Sequence, residues 1–521
     1  MRMRAFIIFT VGLIALCNNV VAQLTEQQQI QKLNYAYQYI RNNYVEDVSL
    51  EPLVEEAIRA TLAELDPHSV YLTKEEMERA RNRLSGEFAG IGIKYMMHCD
   101  TLVVRSVMDN SPAQRADILP NDRIVAVDNT SIIALDTDSI ATLLKGEPNS
   151  KVKLKIARRN SPKIINLSLK RDYIDTSVIS AAYRIGDVGY IAISSFSKPT
   201  ASEFYEAYKG LGDIESLVVD LRNNGGGSMS AAIDLTSLFL NKGEVMMYSA
   251  YRTREEAHVA KRDGALSDIP IVVLINESSA SASEIFAGAI QDHDRGVIVG
   301  HTSYGKGLVQ RIVDLKDGSG FMLTIARYKT PSGRVIQRPY NMGERRAYYE
   351  DRMRYMHPDS VSHDGAPLFK TLKHGRTIYG GGGITPDVYL NNNDIALSEF
   401  VAKSLLNAAV EHSIIDYWDV VDQQTILHNY PTMESFNDGY ELDAHLTDIF
   451  FQTAGYTDCD ITEVDRSYIS TLLLAAMAEQ LYGSNARHYI YGIRLDVMQQ
   501  QAIDIVANNL VYNGILEDDI K

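Results

Sequence analysis

The sequence predicts an α/β core built on a largely parallel sheet, with a small β-rich domain ahead of it and helical regions at both ends. Three observations carry this. From Val188 onward, short apolar runs alternate with helical patterns, the texture of strands returning in parallel through crossover helices. Residues 86–172 hold closely spaced β runs and turns instead. Residues 24–82, and those beyond Asn391, repeat apolar side chains at helical spacing. At 521 residues the chain is long enough for several cores.

Taken in order, Arg2 and Arg4, the apolar stretch Ala5–Leu16 and the compact Val20-Val21-Ala22 before Gln23 read as a secretory signal over 1–22. The stretch is too short for a lone membrane helix. A periplasmic or secreted destination is expected, and the large Leu16 before Cys17 speaks against a lipid-anchored lipoprotein. In the helical region 23–85, Ile30, Leu33, Tyr37, Ile40 and Tyr44 share one face, as do Val54, Ile58, Leu62 and Leu65. Asp66-Pro67-His68-Ser69 ends the second helix, because proline disfavours helix for the residue before it.

In the β-rich domain, 86–172, Leu102–Val107 reads as a strand, Ser111–Ala116 as a short helix, and Asn121–Asp128 as a turn entering a strand. Asp138–Lys145 is helical, and Lys151–Ile156 alternates as a strand. The core, 173–390, runs through strands at 188–194, 216–221, 269–275, 296–300, 307–315 and 320–328, with helices at 201–211, from the glycine turn 224–227 to Phe239, and at 280–292. Arg338–Arg376 is charged and tyrosine-rich and reads as a long surface excursion. Gly380–Gly383 reads as a flexible turn, since no lysine-serine pair follows to make a phosphate loop. The final unit, 391–521, places Leu397, Phe400, Val401 and Leu405 on one helical face and carries no chemical motif.

The net charge is −16, and the mature chain loses two further cations with Arg2 and Arg4. Such acidity disfavours nucleic acid and anionic membrane surfaces as partners. Cys99 and Cys459 lie far apart, which is neither a disulfide framework nor a metal cluster, although a single bridge stays open.

Chemistry concentrates at Ser281 and Lys306. A serine opening a helix sits where unpaired amides and the positive dipole end favour an oxyanion. The Ala282 amide is one candidate donor and the glycines Gly225–Gly227 offer the second. Serine needs a base, and lysine serves only if burial disfavours its ammonium form. Gly305 and Gly307 flank Lys306 without bulk, between apolar strands. Gln310, four residues on, faces the same side of an extended strand. The residues alone leave other readings open: a plain helix cap beside an exposed glycine turn, or a histidine-dependent hydrolase using His293 or His301 with Asp292 or Asp294. Asp292-His293-Asp294 suggests a metal, but no second ligand cluster has usable spacing, so no metal or cofactor is expected.

Two resemblances narrow this. Gly90-Ile91-Gly92-Ile93 and Asn121-Asp122-Arg123-Ile124, with the order of elements around them, resemble a PDZ domain. Its glycine loop would capture a terminal carboxylate while the bound peptide adds a strand. Residues 276–310 resemble the carboxy-terminal processing peptidases, or tail-specific proteases, through Ser279-Ala-Ser-Ala-Ser-Glu284, Gln291-Asp292 and Tyr304-Gly-Lys-Gly-Leu-Val-Gln310. Asp66–Leu72, Asp220–Gly227, Tyr328–Arg334 and Gly380–Asp387 extend the likeness, which fades after Leu390. It implies a crotonase-like α/β core with an inserted PDZ domain, and a serine endopeptidase that cuts exported proteins near their C-termini. In it Ser281 is the nucleophile, Lys306 its base, Gln310 the residue that positions the lysine, and Asp292 a supporting acid. Gly226 and Ala282 would donate to the oxyanion, with Gly225 standing where the family commonly has proline. Family behaviour also implies gating by the PDZ domain. The expected partners are protein or peptide substrates held by their C-termini; the apolar terminal helices are compatible with a homodimer, and the activator is either the substrate tail or a separate adaptor protein. A non-catalytic peptide-binding scaffold is the rival reading, and intact Ser281, Lys306 and Gln310 count against it.

Overall fold

A computed structural model of the protein describes residues 25–517, apart from 109, 160, 176, 356–364, 391–396 and 456–460. The secretory signal, Cys17 and Cys459 therefore lie outside the described residues. The chain forms two compact units, one ending at Leu65 and the other beginning at Asp66. The first contains the helices Glu26–Asn43 and Leu50–Ala63. Thr25 opens the earlier one with a capping box, its side chain accepting from the Gln28 amide.

The second unit is organised on a six-stranded sheet in the order 179–185, 188–193, 216–220, 271–275, 297–300, 388–389. Only its first pair is antiparallel. The central strands Ser216–Asp220 and Ile271–Ile275 are buried at every position, as the unbroken Leu-Val-Val and Ile-Val-Val-Leu-Ile runs require of strands covered on both faces. One face packs on the helices Thr200–Gly210, Met229–Thr236 and Ala282–Asp292 through Phe204, Phe239 and Phe286. The other is covered by helices from the end of the chain, where Met498, Ala502, Val506, Tyr512 and Leu516 meet Val218, Val272, Leu274 and Val299. The last helical segment is thus part of the core's packing, in addition to a helical cluster of its own around Trp418, Phe450 and Leu473.

A second sheet joins Val70–Leu72, Gly320–Lys329, Val245–Tyr251 and Glu255–Val259, and Leu308–Asp314 pairs with Gly320–Lys329. The second helix ends at Ala63, ahead of the Asp66–Ser69 break, and the rest of the region expected to be helical holds a strand, Val70–Leu72, before a further helix, Lys74–Ser85. The β-rich domain forms its own sheet from 93–98, 101–107, 123–127, 151–157 and 165–170, with the helices Pro112–Arg115 and Thr137–Leu144. It rests against the C-terminal helices. Arg123 makes two bonds to Asp419, of 3.0 and 2.6 Å, and Arg105 pairs with Glu479 at 3.0 Å. His98 lies between His412 and Asp416, 2.8 Å from each.

The stretch Arg338–Arg376 is not a plain surface excursion. Arg338 is buried and its guanidinium stacks on Tyr304 and Tyr348. Arg376 is buried between Asp294 and Asp387, 2.7 Å from each. The charged composition misleads because Arg376 is neutralised inside by two aspartates and Arg338 is stacked on two aromatic rings.

Candidate active site

The strand Ile271–Ile275 ends in the turn Asn276–Ala280, and Ser281 follows at the N-terminus of the helix Ala282–Asp292. Ser281 has φ 57° and ψ −109°, a conformation that costs a non-glycine residue energy and concentrates at functional turns. The surrounding bonds hold it there. Ala280 N–H donates to Asn224 O at 3.0 Å, Ser283 Oγ donates to the same carbonyl at 2.8 Å, and Tyr328 Oη donates to Ser281 O at 3.2 Å.

Lys306 reaches the same cavity, of about 630 Å³, which is also lined by Gly225–Gly227, Ser281, Gln310 and Tyr328. Its Nζ donates to Gln310 Oε1 at 2.8 Å, while Gln310 Nε2 donates to His68 O at 2.7 Å. The carbonyl can only accept, so the orientation of the Gln310 amide is determined. Nζ makes no hydrogen bond to Ser281 Oγ in this arrangement. Extended-strand spacing pointed to the contact between Lys306 and Gln310, but the route differs. The strand begins at Leu308, and its register shifts between Val309 and Gln310. Burial pushes the Lys306 amine below its ordinary pKa, against the opposing charges of Glu284 and Asp66.

Glu284, three residues after Ser281, joins the two loops. Its Oε2 accepts from the amides of Ser281 and Lys306 at 2.7 and 2.9 Å. Its Oε1 accepts from Ser303 Oγ and the Gly305 amide, both at 2.6 Å. The side chain is fully buried, and burial raises its pKa while these donors oppose the rise. Sequence reasoning had it only as the last letter of a motif. The capping-box spacing from Ser281 was the available signal, and the contacts to Ser303, Gly305 and Lys306 had none.

Among the predicted oxyanion donors, Ala282 is the first helical residue, and such an N–H has no intrahelical acceptor. Gly226 packs so closely that a Cβ there would lie 2.6 Å from Ala280 O and 2.9 Å from Ala282 N, and its φ is +92°. Its N–H, however, donates to Asn224 Oδ1 at 2.9 Å, so the free second donor expected there is already engaged. Buried Asn224 needs that partner, since its Nδ2 is bonded to Ile193 O.

Asp292 stands at the far end of the helix that Ser281 opens and does not line the cavity. It accepts from the Ser332 amide at 2.8 Å. Its Oδ1 is 2.7 Å from Arg334 Nη2, whose N–H is directed to Gln291 Oε1, so charge more than an aligned bond holds that fully buried pair. The rival histidines are engaged elsewhere: His293 Nε2 with Val245 O and His301 Nε2 with Leu390 O. Neither lines the cavity of Ser281. A larger cavity, about 810 Å³, lies between the sheet and the C-terminal helices. Its arginines are paired, Arg222 with Asp220 and Asp496 of the lining, and Arg487 with Glu411 and Glu479 beyond it. No group of three or more potential metal-ligating side chains occurs among the described residues, and none of their helices is long and apolar enough to cross a membrane. In the β-rich domain, Ile91 is buried, Gly92 has φ +79°, and Gly90 to Ile93 form the connection between the strands 87–90 and 93–98.

A serine in a strained turn that shares a cavity with a buried lysine, beside a separate β domain, points to a class: a serine-type peptidase with a PDZ domain. Comparison with known proteins agrees. Residues 187–341 match peptidase family S41, 103–158 match a PDZ domain, and 15–76 match the N-terminal domain of the activating protease CtpB. A carboxy-terminal-processing protease of Bartonella bacilliformis is 36% identical over 321 residues, covering 60% of this chain and 73% of that one. The carboxy-terminal processing protease CtpB of Bacillus subtilis is 34% identical over 323 residues, covering 61% and 67%. Among solved structures, a photosystem II D1 C-terminal processing protease is 28% identical, with a TM-score of 0.33, and the match covers 60% of this chain and 91% of that one. The chain belongs to the carboxy-terminal processing proteases of peptidase family S41.

Proposed function

We propose that the protein is a Ser/Lys endopeptidase that cuts exported proteins near their C-termini, on a crotonase-like core. The observation that carries this is the buried Lys306 amine, held by Gln310 in the cavity that also contains Ser281. Burial favours the neutral amine, and Gln310 Oε1 takes one of its N–H groups, leaving the nitrogen lone pair for the Ser281 proton. Ser281 Oγ attacks the peptide carbonyl as Lys306 accepts that proton. The Ala282 N–H stabilises the oxyanion, and the Gly226 N–H joins it only by releasing Asn224 Oδ1. Lys306 then protonates the leaving amine, and water cleaves the acyl-enzyme. Nζ moves from its resting contact with Gln310 alone into reach of Ser281 Oγ when substrate is seated.

The PDZ domain, over 86–172, captures the substrate's C-terminal carboxylate through Gly90, Ile91, Gly92 and Ile93 and gates the site. A periplasmic or secreted location follows from the N-terminal sequence. The decisive comparison uses Ser281→Ala, Lys306→Ala and His301→Ala on a casein-like substrate. The first two are expected to be inactive and the third active. Cleavage by Ser281→Ala equal to that of the parent would remove the proteolytic assignment.

A further inference from the structure

The Asp66-Pro67-His68-Ser69 turn is buried at Asp66, His68 and Ser69, yet no catalytic step above uses it. Its own first side chain bonds its backbone amides. Asp66 Oδ1 accepts from the amides of His68 and Ser69, both at 2.8 Å, and Oδ2 accepts from Ser69 Oγ at 2.5 Å. An Asp side chain bonded to the backbone two and three residues on fixes a turn without regular secondary structure. Pro67 adds rigidity, and its carbonyl is held by Tyr349 Oη at 2.8 Å. The turn then presents two groups toward Lys306. The His68 carbonyl accepts from Gln310 Nε2. The His68 ring lies 3.3 Å from Tyr348 Oη, which accepts from Gln337 Nε2, and Gln337 Oε1 accepts from the amide of Gly307, next to Lys306.

We infer that Asp66 is a positioning residue for proteolysis: its carboxylate shapes the turn whose His68 carbonyl orients Gln310, and through Gln310 the Lys306 amine. This rests on the Ser281/Lys306 reading proposed above. Asp66 acts along a chain of bonds, Asp66 to the His68 backbone, His68 O to Gln310 Nε2, and Gln310 Oε1 to Lys306 Nζ. It also acts through its charge. The titratable groups bearing on the amine are Glu284 from the nucleophile's helix and Asp66 from the turn, with His68 beside them. Burial, and after it the nearby Lys306, keep His68 neutral, its pKa lowered to about 3. The carboxylates of Glu284 and Asp66 favour the ammonium, and burial opposes them.

The test is a set of variants in the full chain, assayed on a casein-like substrate from acid to alkaline pH, with unfolding midpoints measured alongside. Asp66→Ala opens the turn and is expected to lower kcat about 10- to 100-fold with little change in KM, the scale of a small misplacement of a catalytic group. If Asp66 works through Gln310, the double variant Asp66→Ala/Gln310→Ala is no slower than Gln310→Ala alone. Asp66→Asn keeps an acceptor for the two amides but removes the charge. The Lys306 ammonium is then less favoured, its pKa falls, and the acid limb of kcat/KM moves to lower pH. A residue that merely stabilises the fold would lower the midpoint and leave that limb in place. Fully additive losses in the double variant, or an unmoved limb in Asp66→Asn, overturn the inference. Lys306→Ala in the same series separates the two claims: an active Lys306→Ala removes the dyad reading itself, whereas an inactive one with additive Asp66 effects removes only the role of Asp66.

Discussion

Glu284→Gln is the sharpest perturbation of the site, because it changes no shape and removes one charge. Four donors converge on this carboxylate: the amides of Ser281, Lys306 and Gly305 and the Ser303 hydroxyl. An amide accepts through its oxygen alone, so two donors must face its NH₂ group. The cheaper orientation turns the NH₂ toward Ser303 and Gly305, since the Ser303 hydroxyl can rotate and accept. The Gly305 N–H is then orphaned in the interior at about 1–3 kcal/mol. The bonds to Ser281 and Lys306 survive but lose charge assistance, roughly 0.5–1 kcal/mol each. Relief of carboxylate burial works the other way, so a net loss of about 2–3 kcal/mol is expected. Urea unfolding of Glu284→Gln in a Ser281→Ala background, where self-cleavage is absent, reads this as a lower midpoint at unchanged slope. In the Ser281 enzyme, kcat should fall about tenfold as the two loops lose their common anchor. A midpoint and kcat both equal to the parent's would refute the claim that Glu284 couples the Ser281 and Lys306 loops.

Lys306→Met should be inactive yet more stable at neutral pH. Burial lowers the folded-state pKa of Lys306, so the charged form is penalised below that value and the penalty fades as pH rises toward the ordinary value near 10.5. Thermal melts at neutral and alkaline pH read the gain, which should shrink in the alkaline scan. Gln310→Glu sets a carboxylate beside the amine, favours the ammonium and moves the acid limb of kcat/KM to higher pH; a limb moving the other way contradicts the contact. The contact of the PDZ domain with the C-terminal helices at His98 and His412 should loosen in acid. Burial, and then the neighbouring His98, lower the pKa of His412, so the neutral ring is the docked form and docking weakens as pH falls from the ordinary value near 6.5. Limited proteolysis at pH 5 and 8 should cut the ends of the PDZ domain faster at pH 5, and His412→Gln should reduce that difference. Removing residues 86–172 should abolish regulation by C-terminal peptides, and unchanged peptide dependence in the assay would end the gating proposal.

Much of the site was legible because its chemistry is local. A serine opening a helix and a lysine between glycines announce themselves by residue type. The strands around them are uniform enough in β-branched character that their observed bounds differ from expectation by a residue or two. What stayed hidden crosses long sequence distances or uses the backbone. The partner of Gln310 is a carbonyl 242 residues away, and a carbonyl carries no residue identity. The commitment of the Gly226 amide to Asn224 was equally invisible, since a glycine turn advertises free donors and not their occupancy. Arg338 and Arg376 were misplaced at the surface because charge was read without its partners, two tyrosine rings in one case and two aspartates in the other.

The closure of the central sheet by the end of the chain bears on how the protein is made. Tyr512 Oη bonds the backbone of Ile271, 241 residues earlier, and its helix completes the cover over Val218, Val272, Leu274 and Val299. During synthesis, the sheet carrying Ser281 therefore emerges long before its second face can be covered. Until the final helices arrive, that face presents apolar strands to water and to other nascent chains. A chain cut back to Leu390 would hold Ser281, Lys306 and Gln310 and still lack the surface that finishes its core. Loss of the last twenty residues should then register first as aggregation, with the chemistry of the site left intact.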